Sequence, residues 1–178
     1  MDLSRLYGEI EAQGALPPVD KWHPPFCGDI DMHITHDGIW FYNGSPIGRP
    51  EMVRLFARIL RRETGAYFLV TPVEKVGITV EDVPFIAVEM EIMPTGLIFR
   101  TNVGDRLTVD ADHPLRFETG NDGFRPYVHV RNGLEARLSR PLAQDLAALG
   151  EVRKQENTSW FGIPSGNLFF PVIPADHL

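Results

Sequence analysis

The chain has 178 residues, a formal net charge of −7 and 43% hydrophobic residues, so it can bury one large core or two small ones. The acidic balance disfavours a nucleic-acid polymer as a partner, and a single cysteine excludes an intramolecular disulfide or a thiolate metal cluster. No apolar run has the length of a signal peptide or a membrane span, so we expect a cytoplasmic protein that does not contact membranes.

The N-terminal region combines a short helix with a proline-rich connection. Apolar residues at helical spacing predict a helix over residues 3–13. Residues 14–25 contain four prolines and predict an extended connection. Within it, Trp22 is a large aromatic side chain that we expect to clamp either a ligand or the other half of the chain.

A hairpin followed by a helix comes next. Alternating polarity over residues 30–34 predicts a strand, an Asp-Gly pair at 37–38 predicts a turn, and residues 39–42, which include Trp40, predict the returning strand. An Arg-Pro pair beginning at Arg49 then precedes an amphipathic helix predicted over residues 50–62.

The remainder of the chain is dominated by predicted short strands. Residues 66–109 alternate apolar runs with Gly and Pro breaks, and Lys75 and Asn102 lie at the edges of these runs. Near the C-terminus, two apolar runs flank a turn that contains Ser165. Ser165 does not belong to a GxSxG nucleophile motif, which favours a hairpin turn there.

The hairpin–helix unit occurs a second time over residues 127–149, with an Asn-Gly turn and a second Arg-Pro pair beginning at Arg140. Few helices and many closely connected strands favour an α+β fold with mostly antiparallel strands. The repeat predicts two α+β halves, residues 1–80 and residues 81–178, with a ligand site where they meet.

The repeated arginine has two interpretations. A cation in the first helical turn faces the positive end of the helix dipole, so Arg49 and Arg140 are each slightly unfavourable unless an anion binds there. The alternative is that each arginine packs on its hairpin and pairs with an acidic neighbour such as Asp37 or Glu135.

A metal-dependent hydrolase is a third interpretation, after ligand binding and protein interaction. Asp31, His33 and His36 could together hold a metal ion, although no HExxH motif accompanies them. No nucleophile with a base partner is evident, so we predict no catalytic residue, no metal site and no cofactor.

Several segments stand in order between about residues 17 and 171. They are PPVDKWHPPFCGDIDMHI, DGIWFYNGSPIGRPEMVRLFARIL, YFLVTPVEKVGITVEDVPF, FRTNVGD, HPLRF, PYVHVRNGLEARLSR and SGNLFF. Together they resemble the bacterial family of unknown function DUF1285. The resemblance implies a duplicated core, a C-terminal half similar to a pleckstrin-homology-like roll, and a nucleotide-like ligand between the halves with a role in signalling. It implies no catalytic residues.

We therefore expect a non-enzymatic protein that binds a small anionic, nucleotide-like ligand in bacterial signal transduction. A protein-interaction module is the first alternative and a metal-dependent hydrolase the second. Charge, stacking and hydrogen bonding make up the predicted ligand site. Its residues are Trp22, Trp40, Arg49, Lys75, Asn102, Arg140 and Ser165.

Overall fold

The computed structural model of this protein describes residue 8, residues 16–121 and residues 123–178. The helix predicted over residues 3–13 lies outside the described residues, apart from Gly8. The chain divides into two compact units, Met1–Pro84 and Phe85–Leu178, and each is described by itself below. The fold is mostly β-sheet, with 53% of the residues in strands. Helices therefore make up a smaller share of the fold than the α+β prediction implied.

Unit 1 contains a six-stranded sheet built from two antiparallel meanders of three strands. Its strands are β1 (Phe26–Ile34), β2 (Trp40–Tyr42), β3 (Ser45–Pro46), β4 (Leu60–Glu63), β5 (Ala66–Val70) and β6 (Lys75–Val80). The first strand of one meander and the last strand of the other run parallel at the centre, where His33 lies opposite Thr79.

Tight turns set the hairpins of this sheet. Asn43 and Gly44, between β2 and β3, have φ of 49° and 79°, and Thr64 and Gly65, between β4 and β5, have φ of 47° and 84°. Two successive residues with positive φ match the right-handed twist of the flanking strands, which is why an Asn-Gly pair favours a hairpin.

Helix α1 (Pro50–Arg58) connects the two meanders. Proline suits its first position because the missing N–H would have no intrahelical partner there. The helix ends four residues earlier than predicted, since the chain from Leu60 onward forms β4 and Leu60 pairs with Leu69 of β5. The apolar pattern through Leu60 fits a helix or a strand, and sheet pairing decides between them.

Unit 2 contains a second six-stranded sheet, followed by a helix and a three-stranded sheet. The six strands are β7 (Phe85–Met93), β8 (Gly96–Thr101), β9 (Arg106–Thr108), β10 (Leu115–Gly120), β11 (Gly123–Arg131) and β12 (Leu134–Leu138). Helix α2 (Arg140–Ala148) comes next, and β13 (Glu151–Gln155), β14 (Thr158–Ser165) and β15 (Leu168–Pro174) close the chain. Among the described residues, no helix has the length and apolarity that a membrane-spanning segment needs.

The two six-stranded sheets have the same strand order. The first reads β3-β2-β1-β6-β5-β4, and the second, read from its other edge, is β9-β8-β7-β12-β11-β10. In both, the first and last of the six strands run parallel at the centre. The predicted duplication is therefore confirmed at the level of sheet topology.

The two sequence copies are not equivalent in the duplicated topology, because Asn132–Gly133 joins β11 to β12, and these strands correspond to β5 and β6. Asn132 and Gly133 both have positive φ, as Asn43 and Gly44 do, whereas at the predicted match only Gly38 does. The helices also differ in place, because α1 lies between the two meanders of its sheet and α2 follows both meanders. The repeated Arg-Pro pairs thus share local sequence and a helix start, but not a position in the duplicated topology.

Each unit has its own buried side chains. The largest in unit 1 are Trp40, Phe56, Met32, Ile34, Ile59, Leu60 and Leu69. The largest in unit 2 are Tyr127, Phe85, Phe99, Leu134 and Leu146. The alternating burial along β11 and β12 shows one face of that sheet packed and the other partly exposed.

Candidate functional site

Helix α2 begins with an arginine and without a side-chain cap. Arg140 is exposed at the first helical position, and the preceding Ser139 makes no side-chain bond to the first turn. The helix carries no acidic residue in its first turn. Backbone N–H groups at a helix start lack intrahelical partners, and the dipole adds partial positive charge to that of the guanidinium. This end of α2 is therefore electropositive, and no acidic residue in the first turn of the helix compensates the positive charge.

Helix α1 has a similar but weaker arrangement. Arg49 is exposed at the N-cap, again with no side-chain cap bond. Here, however, Glu51 lies in the first turn, where its carboxylate already complements the dipole. An external anion therefore gains less at α1 than at α2.

Most other described arginines have acidic partners. Those with an ion pair are Arg61, Arg100, Arg106, Arg116, Arg125, Arg131 and Arg153. Within the described part of the chain, Arg49, Arg54 and Arg140 have no such partner. In particular, the predicted alternative partner of Arg140, Glu135, instead binds Arg116 through both carboxylate oxygens, at 2.8 and 3.0 Å. Two of the three unpaired arginines are thus at helix starts.

Lys75 has its charge satisfied within unit 1. Its Nζ donates to Glu63 Oε2 at 2.9 Å and lies 4.9 Å from the centre of the Phe68 ring. The Lys75 hydrogen bond holds the pKa of the Glu63 carboxyl below its usual range, and Arg61 adds to the effect. An anionic ligand would therefore have to displace a carboxylate to reach this ammonium group.

Arg61 is a buried residue on β4, within the segment 50–62 for which the sequence predicts a helix. Its Nη1 donates to the carbonyl oxygens of Val19 and Trp22 at 2.9 and 2.7 Å, and its Nη2 pairs with Glu63. The guanidinium thereby fixes the turn at Val19–Lys21 to the sheet. The burial of Arg61 could have been predicted only by placing it on a strand, because successive side chains of a strand point to opposite faces and Arg62 is exposed.

The two predicted aromatic side chains differ in exposure. Trp22 is half-buried, and its carbonyl is held by Arg61. Trp40 is 2% exposed, and its ring stacks on Phe56 of α1 with centroids 6.4 Å apart. The prediction of Trp40 as a stacking face is incompatible with this burial, because a ligand could reach the ring only by opening the core.

Asn102 and Ser165 make structural hydrogen bonds in unit 2. The Asn102 side-chain oxygen accepts from the backbone N–H of Ile86 at 3.0 Å. The Ser165 hydroxyl is buried, accepting from the N–H of Leu97 at 2.9 Å and donating to the carbonyl of Val109 at 2.8 Å. Ser165 therefore joins β14 to β8 and is not accessible to a ligand, contrary to its predicted role.

The acidic and histidine residues of β1 do not form a metal centre. Among the described residues, no group of three or more His, Cys, Asp or Glu side chains is placed to hold a metal ion. Instead, His33 Nε2 bonds to Glu81 Oε1 at 2.7 Å, and the backbone N–H of His36 donates to Glu81 Oε2 at 2.6 Å. Glu81 thus ties the end of β1 to the end of β6, and the metal-dependent hydrolase has no support in this geometry.

Replacing Glu81 with glutamine is expected to destabilise the protein at neutral pH but not in acid. The His33 bond, followed by the His36 N–H, holds the pKa of Glu81 below its usual value near 4.3. Because the folded pKa is the lower one, the stabilisation is complete above about pH 4.3 and is lost as pH falls through the folded pKa. Urea unfolding of both proteins between pH 3 and pH 7 should give free energies that differ at neutral pH and converge in acid.

Glu74→Gln provides the control, since Glu74 lies in the same unit and its carboxylate has no ion-pair partner in the described ranges. A constant difference between Glu81→Gln and the unmodified protein across the whole pH range would contradict the bonding role of the carboxylate.

Comparisons with known proteins agree with the sequence resemblance. The N-terminal domain of DUF1285, a domain of unknown function, matches residues 17–83, and the C-terminal domain of this protein family of unknown function matches residues 84–172. No curated protein matches the chain.

Two crystal structures of DUF1285 family proteins are similar to this fold. The protein from Silicibacter pomeroyi DSS-3 is 45% identical with a TM-score of 0.86, over 97% of this chain and 96% of that chain. The protein from Shewanella baltica OS155 is 31% identical with a TM-score of 0.56, over 66% of this chain and 90% of that chain. Because both family domains match in order and a 45% identical relative aligns over nearly its whole length, the chain belongs to the DUF1285 family.

Proposed function

We propose that this protein binds a small anionic, nucleotide-like ligand without transforming it, and that it does so in bacterial signal transduction. The observation that carries the proposal is the start of α2, where exposed Arg140 has no ion-pair partner among the described residues. On a chain with net charge −7 that pairs most of its arginines, this one is left available at a helix N-terminus. The nucleotide-like character and the signalling role rest on the family resemblance.

The groups at this helix start complement a phosphate. The Arg140 guanidinium can donate two parallel bonds to phosphate oxygens, and the Ser139 hydroxyl is not used as a cap. Pro141 lacks an N–H, so the backbone donors of the first turn without a partner among the described residues are those of Arg140 and Leu142. Ala143 donates instead to the Ser139 carbonyl at 2.9 Å.

Arg49 is a secondary contributor in this proposal. Its helix start has the same missing cap, but Glu51 partly compensates the dipole. The similarity of the C-terminal half to a pleckstrin-homology-like roll belongs to the same proposal and is supported by the helix that directly follows β12. Cytoplasmic location stays a prediction.

Nucleotide binding is expected to raise the thermal stability of the full-length protein. A panel of ATP, GTP, cyclic AMP and cyclic GMP, with uncharged adenosine as the matched neutral ligand, should include a binder that adds about 2.7 kcal/mol to the unfolding free energy at a hundred times its Kd. Arg140→Ala should weaken that ligand at least roughly tenfold, because a charge-assisted contact is lost. Arg49→Ala should have a smaller effect, and the nucleotide should be recovered unchanged after incubation.

Arg54→Ala is the matched control. Arg54 is exposed on α1 and unpaired within the described residues, but it lies away from the helix start. If Arg54→Ala weakens binding as much as Arg140→Ala, the effect is one of net charge and the proposed site is wrong. The proposal also fails if no panel member binds, or if adenosine binds as well as the charged nucleotides.

A further inference from the structure

Strand β7 has a free edge along most of its length. On one side it pairs with β12 only through Phe85, Ile86 and Ala87, and the Ser139 N–H then donates to the Ala87 carbonyl at 3.0 Å. From this point the chain turns into α2, while β7 continues to Met93 paired only with β8. Residues 88–93 therefore form an edge strand, although the sheet order places β7 at the centre.

The main-chain groups of Met90 and Ile92 point to this free edge. Ile92 lies opposite Leu97 of β8, and Leu97 directs its own groups away from β7. Its N–H donates to Ser165 Oγ at 2.9 Å, and its carbonyl accepts from Val109 at 2.8 Å. Ile92 is thus in a non-hydrogen-bonded pair, and Met90 follows by the alternation of an antiparallel ladder. Neither residue has another main-chain partner in the described part of the chain.

The side chains along this edge are apolar on one face. Ile92 is 63% exposed, and Met90 lies beside it, two residues earlier on the same face. Val88, at the bulge that begins the segment, and Met93, at its end, are also exposed. Edge strands are usually short or contain lysine or proline, and these features prevent pairing with a strand of another chain. Another edge strand, β13, has Arg153 and Lys154, but the free part of β7 has no basic residue or proline.

On the opposite face, the edge strand itself carries two glutamates, whereas the arginines that pair with them lie on β8 and β9, farther from the free edge. Glu89 and Glu91 pair with Arg100 and Arg106, each through one carboxylate oxygen. The second oxygen of each has no partner within the described ranges, and the two side chains are 53% and 58% exposed. Together with Ile98 and Phe99, these four charged residues line a cavity of about 320 Å³ that spans β7, β8 and β9.

We propose that the free edge of β7, residues 88–93, is a docking site for an extended segment of a partner protein whose residues alternate between basic and apolar. Such a strand would bond to the main-chain groups of Met90 and Ile92. Its apolar residues would cover Met90 and Ile92, while its basic residues would face the free oxygens of Glu89 and Glu91. This goes beyond nucleotide binding and gives the protein-interaction alternative a definite surface.

A second copy of the chain fits this edge less well. Antiparallel pairing about a two-fold axis places each residue opposite its own symmetry mate or an equivalent on the same face. In a register centred on Glu91, this residue lies opposite Glu91 of the second copy. In a register centred on Met90, Glu89 of each copy lies opposite Glu91 of the other. Both oppose like charges, which destabilises strand pairing. A register centred on Ile92 avoids this but uses only the last residues of the strand.

Synthetic peptides test the proposal by fluorescence anisotropy with the full-length protein. A labelled peptide of alternating lysine and valine should bind at least roughly tenfold more tightly than alternating glutamate and valine. It should also bind more tightly than a peptide with the same lysines and valines in two blocks, which controls for attraction to an acidic protein. N-methylation of the residues whose N–H groups face β7 should abolish binding, because main-chain bonds supply the affinity.

Ile92→Lys should lower the affinity for the alternating lysine–valine peptide at least roughly tenfold, because a charge on the edge blocks strand addition. Val152→Lys is its matched control, because Val152 is 53% exposed on a different edge strand, β13, and its replacement should change binding less than about twofold. The double variant Glu89→Lys and Glu91→Lys should reverse the preference toward the glutamate–valine peptide. Circular dichroism should show that all variants remain folded, as expected for exposed positions.

Equal binding of the alternating and block peptides, or of the lysine and glutamate peptides, would overturn the proposal. So would Ile92→Lys and Val152→Lys having equal effects. A dimer in light scattering that Ile92→Lys converts to a monomer would assign the edge to a second copy of the chain instead. None of these outcomes depends on whether a nucleotide binds at Arg140.

Discussion

Replacing Arg61 with alanine is expected to lower the free energy of unfolding of unit 1 by about 3 kcal/mol. The side chain is 10% exposed and is the hydrogen-bond donor to two carbonyl oxygens, of Val19 and Trp22. Alanine would leave both without this donor, and Val19 is itself 4% exposed. It would also remove one of the two cations that hold Glu63. An uncompensated buried acceptor costs more than the net value of the bond it lost.

The measurement is urea unfolding followed by tryptophan fluorescence in a Trp160→Phe background. The chain has three tryptophans, so this change leaves only Trp22 and Trp40, both in unit 1, as reporters. Arg61→Lys should recover less than half of the loss, because one ammonium group cannot reproduce the planar fork that serves two carbonyls and a carboxylate.

Arg62→Ala is the matched control for Arg61→Ala. Arg62 is the next residue on β4, exposed, and lies 5.7 Å from the centre of the Tyr67 ring. Its removal should change the unfolding free energy by less than about 1 kcal/mol. Equal effects of the two substitutions would mean that the guanidinium of Arg61 does not fix the Val19–Lys21 turn.

Local patterns predicted much of this fold. Turn pairs such as Asn132–Gly133 gave hairpins because their positive φ values suit the strand twist, and both Arg-Pro pairs gave helix starts. The C-terminal hairpin around Ser165 agrees with the two apolar runs that flank its turn. The end of α1 was not, because Ile59 and Leu60 extend a helical stripe that only pairing with β5 converts into a strand.

The candidate site was less predictable because burial depends on distant contacts. Ser165 bonds to residues 68 and 56 positions earlier in the chain, so nothing near it in sequence shows that its hydroxyl is used. The same holds for Lys75, because nothing near it in sequence shows that its ammonium group is paired with Glu63 on another strand. The place of Arg140 at a helix start could be predicted because the signals are local: the Arg-Pro pair and the lack of an acidic residue in the first turn belong to its own helix. The free edge of β7 could not, since it exists only where β12 diverges from β7.

Replacing Trp40 with alanine is expected to destabilise unit 1 by about 4 kcal/mol. The ring is 2% exposed and stacked on Phe56, so its removal forfeits the burial of a large aromatic surface and leaves a cavity between β2 and α1. Urea unfolding followed by circular dichroism measures this, because the substitution itself changes the fluorescence. Trp22→Ala, at a half-buried position, should cost no more than about half as much.

Trp40→Phe separates the two parts of the tryptophan's role. The indole N–H is buried without a hydrogen-bond partner among the described residues, which costs stability in the native protein. Phenylalanine keeps the stacked ring and removes that unpaired donor, so the lost volume is partly offset and the net cost should stay below about 1.5 kcal/mol. A ligand-stacking tryptophan would show the opposite pattern, with unfolding unchanged in Trp40→Ala and nucleotide binding lost. Unfolding free energies within 1 kcal/mol of the unmodified protein for Trp40→Ala would therefore return Trp40 to the candidate site.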